Sequence, residues 1–183
     1  MGQLLSYREA VCEAMKMLGQ DSRTIFIGQS VGYTGTLVYD TLKDVPMDKR
    51  LELPVTEEMQ MGISIGLSLM GYIPVSIFPR FDFLLLAVNQ LVNHLDRCEE
   101  MSHGAYKPKV IIRTVVGATV PLYPGSQHCQ DYTEAFRAML KNTEVVELND
   151  PEDILPTYKE ALHSPRSYLL VEKGNLYGVV EKK

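Results

Sequence analysis

Cysteine is scarce in this chain: Cys12, Cys98 and Cys129 are the only three, and they stand at unrelated spacings. An odd count without a recurring pair argues against a disulfide framework and against a zinc site, and it suits a reducing, cytoplasmic setting. Nowhere do about 18 apolar residues follow one another, so no membrane span is expected. Residues Met1–Ser6 carry no charged segment followed by an apolar stretch and a cleavage site, so no secretory leader is expected either. Basic residues are outnumbered, 18 against 23 acids for a net charge of −5, and they are scattered along the chain. Without a run of lysine or arginine to follow phosphates, nucleic acid is not an expected partner. Internal repeats and low-complexity segments are missing as well. Gly28, Gly32 and Gly35 lack the spacing of a dinucleotide fingerprint.

What is present suits one core, since 183 residues at 45% hydrophobic composition fill a single domain well, here residues 1–183. Ser6-Tyr7-Arg8-Glu9 has the capping-box pattern, and Ala10, Val11, Ala14, Met15 and Leu18 follow on one helical face before Gly19. Residues 23–28 form a short apolar run closed by glycine, a buried strand that opens into the loop 29–33. A short helix over 36–42, a polar turn over 44–49 and a brief strand over 50–53 come next. Strands are predicted over 72–78, with Pro74 near the start, and over 109–116, 143–148 and 167–172. Helices are predicted from Phe83 through Ala87, Leu91 and Leu95 with Asp82 as cap, from Asp131 through Leu140, and from Pro151 to about His163. The tail 179–183 reads as loose. Strands alternating with helices imply an α/β fold, a doubly wound and mostly parallel sheet with helices on both faces and any ligand at the carboxyl ends of the strands.

One stretch organises the rest. Leu53 to Gly71 is an apolar run too long for a strand and ended by glycine, which reads as a buried helix with Thr56 as cap. Gly62 and Gly66 each cost about 1 kcal/mol against alanine inside a helix, so another backbone or a flat ligand is expected close by on that side. Glu57 and Glu58 stand at its head. They either complement the positive end of the helix dipole, or one of them lies in an apolar pocket and exchanges a proton with a bound ring nitrogen. Periodicity does not choose between these.

Other candidates are weaker alone. His94 and His103 lack a second ligand at helical spacing and read as surface or satisfied histidines. The long loop 117–126, rich in glycine and proline, follows a strand and ends at His128. A histidine there either serves hydrogen bonding or proton transfer in a cleft, or caps its own loop. Cys129 beside it has small, polar neighbours and reads as a packed or merely adjacent thiol.

Taken together, several ordered motifs carry a family resemblance: Ser6–Ala10, Val55-Thr56-Glu57 to Gly71, Phe81-Asp82-Phe83, Met101–Gly104, Arg113 and Gln127-His128-Cys129-Gln130. From about Ser6 to Glu172 the chain resembles the pyrimidine-binding domain of thiamine diphosphate enzymes. The likeness is to the beta subunit of the 2-oxo acid dehydrogenase first component and, more distantly, to the middle domain of transketolase. The resemblance implies that Glu57 binds the ring nitrogen of the cofactor's aminopyrimidine, driving the amino group toward its imino form so that the thiazolium carbon loses its proton. It implies that Phe83 stacks on the pyrimidine, with Phe81 supporting it or packing, and that His128 faces the reacting carbon and stabilises charge or passes a proton to substrate. Glu58 matches no catalytic position.

Departures from the family pattern are equally specific. Related beta subunits show acids after the first strand's glycine where this chain has Gln29 and Ser30, and the loop before His128 is slightly longer and carries Val120–Pro124. The second domain of those subunits is not in this sequence. Neither is the Gly-Asp-Gly motif that holds the diphosphate through magnesium. The resemblance therefore implies no metal ligand in this chain, and a separately encoded, alpha-like diphosphate-binding subunit supplying the other half of the site. The family precedent is two copies of each around a two-fold axis, a heterotetramer. The expected activity is decarboxylation of a small 2-oxo acid with transfer of the activated aldehyde. Transketolase-type ketol transfer and a noncatalytic module on the same scaffold are the alternatives.

Overall fold

The computed structural model describes residues 5–120 and 123–178. Chain order is α1 (Tyr7–Gln20), β1 (Thr24–Gly28), α2 (Leu37–Thr41), β2 (Arg50–Glu52), α3 (Glu57–Leu69), β3 (Ile73–Phe78), α4 (Phe81–Leu84), α5 (Cys98–Met101), β4 (Ile111–Val116), α6 (Thr133–Met139), β5 (Thr143–Leu148), α7 (Pro151–His163) and β6 (Ser167–Lys173). All six strands are parallel, in the order β2-β1-β3-β4-β6-β5. The expected doubly wound sheet is therefore present, and every pair in it is parallel.

Alternation along the strands feeds two cores, because successive side chains leave a strand on opposite faces. Phe26, Val75, Ile77, Ile111 and Leu170 meet α1 and α7 through Val11, Met15, Leu18, Ile154 and Tyr158. Phe78, Ile112, Leu169 and Val171 meet α3, α4 and α6 through Met61, Phe81, Leu84 and Phe136. The Ser6 capping box forms as its pattern predicts, with Ser6 N donating to Glu9 Oε2 at 2.8 Å. From β1 the chain passes to β2 on one side, then returns through α3 to β3 on the other. Crossovers that part in this way open a crevice beyond the carboxyl ends of β1 and β3.

Several local expectations are corrected. The long helix through Leu95 is broken: α4 gives way to a 3₁₀ turn at Leu85–Ala87 and a π-helical stretch at Asn89–Leu95. Buried Asp96 lies just beyond, its carboxylate accepting from the amides of Lys141 (3.0 Å), Asn142 (2.8 Å) and Thr143 (2.8 Å), which anchors the stretch to the start of β5. Asp82 is not the cap of α4; Arg80 holds that position and Asp82 lies in the first turn. Thr56 makes no side-chain cap bond, its hydroxyl donating instead to Pro54 O at 3.2 Å.

Nor is α3 tightly packed within this chain. A methyl at Gly62 would approach only Gln90, with Oε1 at 3.8 Å, and at Gly66 it would meet nothing within 4 Å. One narrow stripe, Glu57, Gln60, Met61 and Ser64, is covered, while Met59, Leu69 and Met70 are exposed. Apolar composition all round a helix does not show which side has a neighbour. The tail 179–183 lies outside the described residues.

Candidate active site

Two groups of side chains gather at the carboxyl edge of the sheet. The first is built on Glu57, which opens α3 and is only 4% exposed. It lines a cleft of about 760 Å³ with Met59, Gly62, Ile63, Leu86 and Gln90. Gln29, one residue past β1, donates from Nε2 to Glu57 Oε1 at 3.3 Å, and no described residue donates to Oε2. Glu58 next to it is exposed, lines the same cleft and accepts from Asn89 Nδ2 at 3.2 Å.

Supporting bonds fix this geometry. The Glu52 carboxylate at the end of β2 accepts from three successive amides, Ser30 (2.8 Å), Val31 (2.7 Å) and Gly32 (2.6 Å), and so holds the loop that carries Gln29. Ser30 adopts φ 62°, a left-handed conformation sustained by those bonds. One turn into α3, Gln60 Nε2 donates to Ile77 O at 3.0 Å and to Ser76 Oγ at 3.1 Å, tying the helix to β3. A side chain at position 28 would collide with the Ile77 carbonyl, so this close passage of β1 requires glycine. Sequence reasoning missed Glu52 and Gln60, because a carboxylate closing a loop and an amide crossing to a strand leave no periodic signal.

The second group lies beyond β3 and β4. The Phe83 and His128 rings meet edge to face, centroids 5.6 Å apart at 84°. Arg80 Nη1 donates to the His128 carbonyl at 3.4 Å, and Gly117 lies beneath both, where any Cβ would strike the His128 carbonyl and Arg80 Nη1. His128 Nδ1 is buried and has no hydrogen-bond partner among the described residues. Phe81 is fully buried, stacked on Phe136 (5.3 Å, 28°) and edge-on to Tyr132 (5.8 Å), which is the packing position and not a cleft wall. No hydrogen bond or shared cleft lining joins Glu57 to the Phe83–His128 pair among the described residues; the two groups stand beyond neighbouring strands of one sheet.

The remaining candidates separate cleanly. His94 and His103 are exposed. Cys129 Sγ lies against the carbonyls of Ala118 (3.8 Å) and Gly125 (3.6 Å), as a packed thiol does. Of the loop that differs from the family, Pro121 and Leu122 lie outside the described residues. Arg113, quoted above for its resemblance, is fully buried and forks onto Glu172 (2.7 and 3.0 Å). Tyr158 donates to Glu172 at 2.7 Å, and Tyr177 donates to it too. Burial first, then the Glu172 charge, raises the Tyr158 phenol well above its ordinary range, so it stays a proton donor.

Over residues 3–178 the chain matches the family described as the transketolase, pyrimidine binding domain. It belongs to that family. Among relatives of this pyrimidine-binding domain, the mitochondrial pyruvate dehydrogenase E1 component subunit beta of Saccharomyces cerevisiae is 30% identical over 178 residues, covering 95% of this chain and 48% of the relative. The corresponding Caenorhabditis elegans subunit is 28% identical, covering 95% and 50%. The chain thus spans about half the length of the curated relatives it matches. In structure it is similar to a split gene transketolase described as an inactive beta4 tetramer, with TM-score 0.72, 20% identity, and 93% and 52% of the two chains covered. Campylobacter jejuni transketolase follows, at TM-score 0.68 and 16% identity over 91% and 25%. These structural likenesses establish the fold. Among the described residues no helix is long and apolar enough to cross a membrane, and no three His, Cys, Asp or Glu side chains come together as a metal group.

Proposed function

We propose that this domain is one half of the active site of a split thiamine diphosphate enzyme. The observation that carries the reading is Glu57: a nearly buried carboxyl at the mouth of a largely apolar cleft, with one oxygen held by Gln29 and the other left open. Such a carboxyl suits a nitrogen heterocycle that can share a proton with it. The unpartnered Nδ1 of His128 and the neighbouring Phe83 ring fit the same ligand. Glu57 would hold the ring nitrogen, Phe83 would stack on the pyrimidine, and Phe81 would back Phe83 from the core. Thiamine diphosphate, when bound, supplies a nucleophilic carbon for making or breaking a carbon–carbon bond beside a carbonyl. His128 would stabilise charge on the substrate oxygen or move a proton to it.

Magnesium and the diphosphate need hard oxygen ligands, which we assign to a separately encoded alpha-like subunit. Two copies of each chain then form a cytoplasmic heterotetramer, and the unpaired cysteines suit a reducing compartment. The favoured reaction is decarboxylation of a small 2-oxo acid with transfer of the activated aldehyde, in line with the pyruvate dehydrogenase relatives. The chain is mixed with its partner, cofactor and magnesium, and turnover of 2-oxo acids is followed with an artificial electron acceptor. Glu57→Gln is expected to lower kcat by about 10²–10⁴-fold, the usual scale of acid–base assistance. Unchanged turnover overturns the reading.

A further inference from the structure

His128 owes its place to the chain that leaves β6. Just past that strand the backbone runs against the end of β4: a methyl at Gly174 would lie 2.5 Å from Val116 O and 2.6 Å from Ala118 N. The two main chains therefore pass with no side chain between them, which only glycine permits. Gly117, in the stretch that Gly174 touches, is itself against the His128 carbonyl, where it too leaves no room for a Cβ. Three backbone segments are thus stacked in series, from the end of β6 through the end of β4 to His128.

The residues on either side of Gly174 fix this stack. Asn175 Oδ1 accepts from Thr119 N at 2.8 Å and from Thr119 Oγ1 at 3.4 Å, which holds the segment before His128. Lys173 Nζ pairs with Asp131 Oδ2 at 2.8 Å and with Glu147 Oε2 at 2.7 Å, which holds the segment after it. The other oxygen of Asp131 accepts from Thr133 N at 3.0 Å, so the same carboxylate sets where α6 begins. With its side chain only 20% exposed, Lys173 is less open to screening by salt than the surface pairs are. Among the described residues neither Lys173 nor Asn175 lines the Glu57 cleft or forms a hydrogen bond with His128.

We infer that Lys173 and Asn175 are positioning residues for His128: they clamp the chain on both sides of it and so set how its ring meets Phe83. The bearing on turnover rests on the reading of the His128 site given above, whereas the placement itself is measurable on the chain alone.

Four histidines stand in the sequence, so carbon-13 labelling of histidine gives four ring resonances, and His128→Gln identifies the one at position 128. Asn175→Leu keeps size and net charge but removes the acceptor. It should move the His128 resonance and leave those of His94, His103 and His163 in place. Lys173→Met should move the same resonance, and the conservative variants Asn175→Asp and Lys173→Arg should bring it most of the way back. In the assembled enzyme Asn175→Leu should lower kcat about 10- to 100-fold, the scale of a displacement near 1 Å, while the thiamine diphosphate requirement set by Glu57 stays the same. Four unmoved resonances in both Asn175→Leu and Lys173→Met, each folded as judged by circular dichroism, overturn the inference. So does a shift shared by all four histidines, or an unchanged kcat in an active assembly. A His128 resonance that moves in a chain whose assembly turns over no 2-oxo acid leaves the clamp standing and counts against the thiamine reading instead.

Discussion

Gln29 Nε2 lies 3.3 Å from Glu57 Oε1, so the end of β1 and the head of α3 meet through one amide–carboxylate hydrogen bond. The family resemblance implies acids after that first glycine; in this chain the neighbour of the carboxyl is a neutral donor. It orients Glu57 without adding a second negative charge.

Removing that donor should loosen the cofactor site without unfolding the domain. For Gln29→Ala in the assembled enzyme, the thiamine diphosphate concentration giving half-maximal rate should rise about 3- to 10-fold, the worth of one hydrogen bond of about 0.5–1.5 kcal/mol. An unchanged requirement would separate Gln29 from Glu57's role.

Stability should depend far more on the buried ion pair than on exposed ones. Arg113 and Glu172 are 1% and 0% exposed, whereas Arg8 and Asp40 are each 48% exposed. Glu172→Gln strands the guanidinium and should cost about 3–5 kcal/mol in urea unfolding. Arg8→Ala should cost no more than about 1 kcal/mol. Equal midpoints for the two variants would contradict this ranking.

Acid sensitivity should appear at Asp21. Hydrogen bonds from the Arg23 side chain (2.7 and 3.0 Å) and then its backbone amide (2.9 Å) lower the Asp21 carboxyl from 3.8 to about 2. Because the folded value lies below the unfolded one, the stabilisation is fully present above about pH 4 and is lost as pH falls toward 2. The gap in melting temperature between the unaltered chain and Asp21→Asn should therefore narrow across that window. A constant gap would show that the pair contributes nothing through ionisation.

Much of the fold was legible because its signals are local. The capping box at Ser6 and Glu9, the strand at 143–148 and the helix from Pro151 to His163 each depend on neighbours in the chain, and each appears as predicted. The break before Leu95 was not legible, since Asp96 finds its partners at Lys141–Thr143, far along the sequence. The same holds for α3, where the apolar run and the glycines at 62 and 66 suggest a buried, closely approached helix and the chain covers one stripe.

By itself the sequence determined the alternation of strands and helices and the parallel sheet, because hydrophobic period and residue type are written in the chain. Only the tertiary structure decided that Phe83 and not Phe81 stands beside His128, that Gln29 bonds to Glu57, and that Arg80 reaches the His128 carbonyl. These are relations between segments that strand order brings together, and no spacing along one segment encodes them.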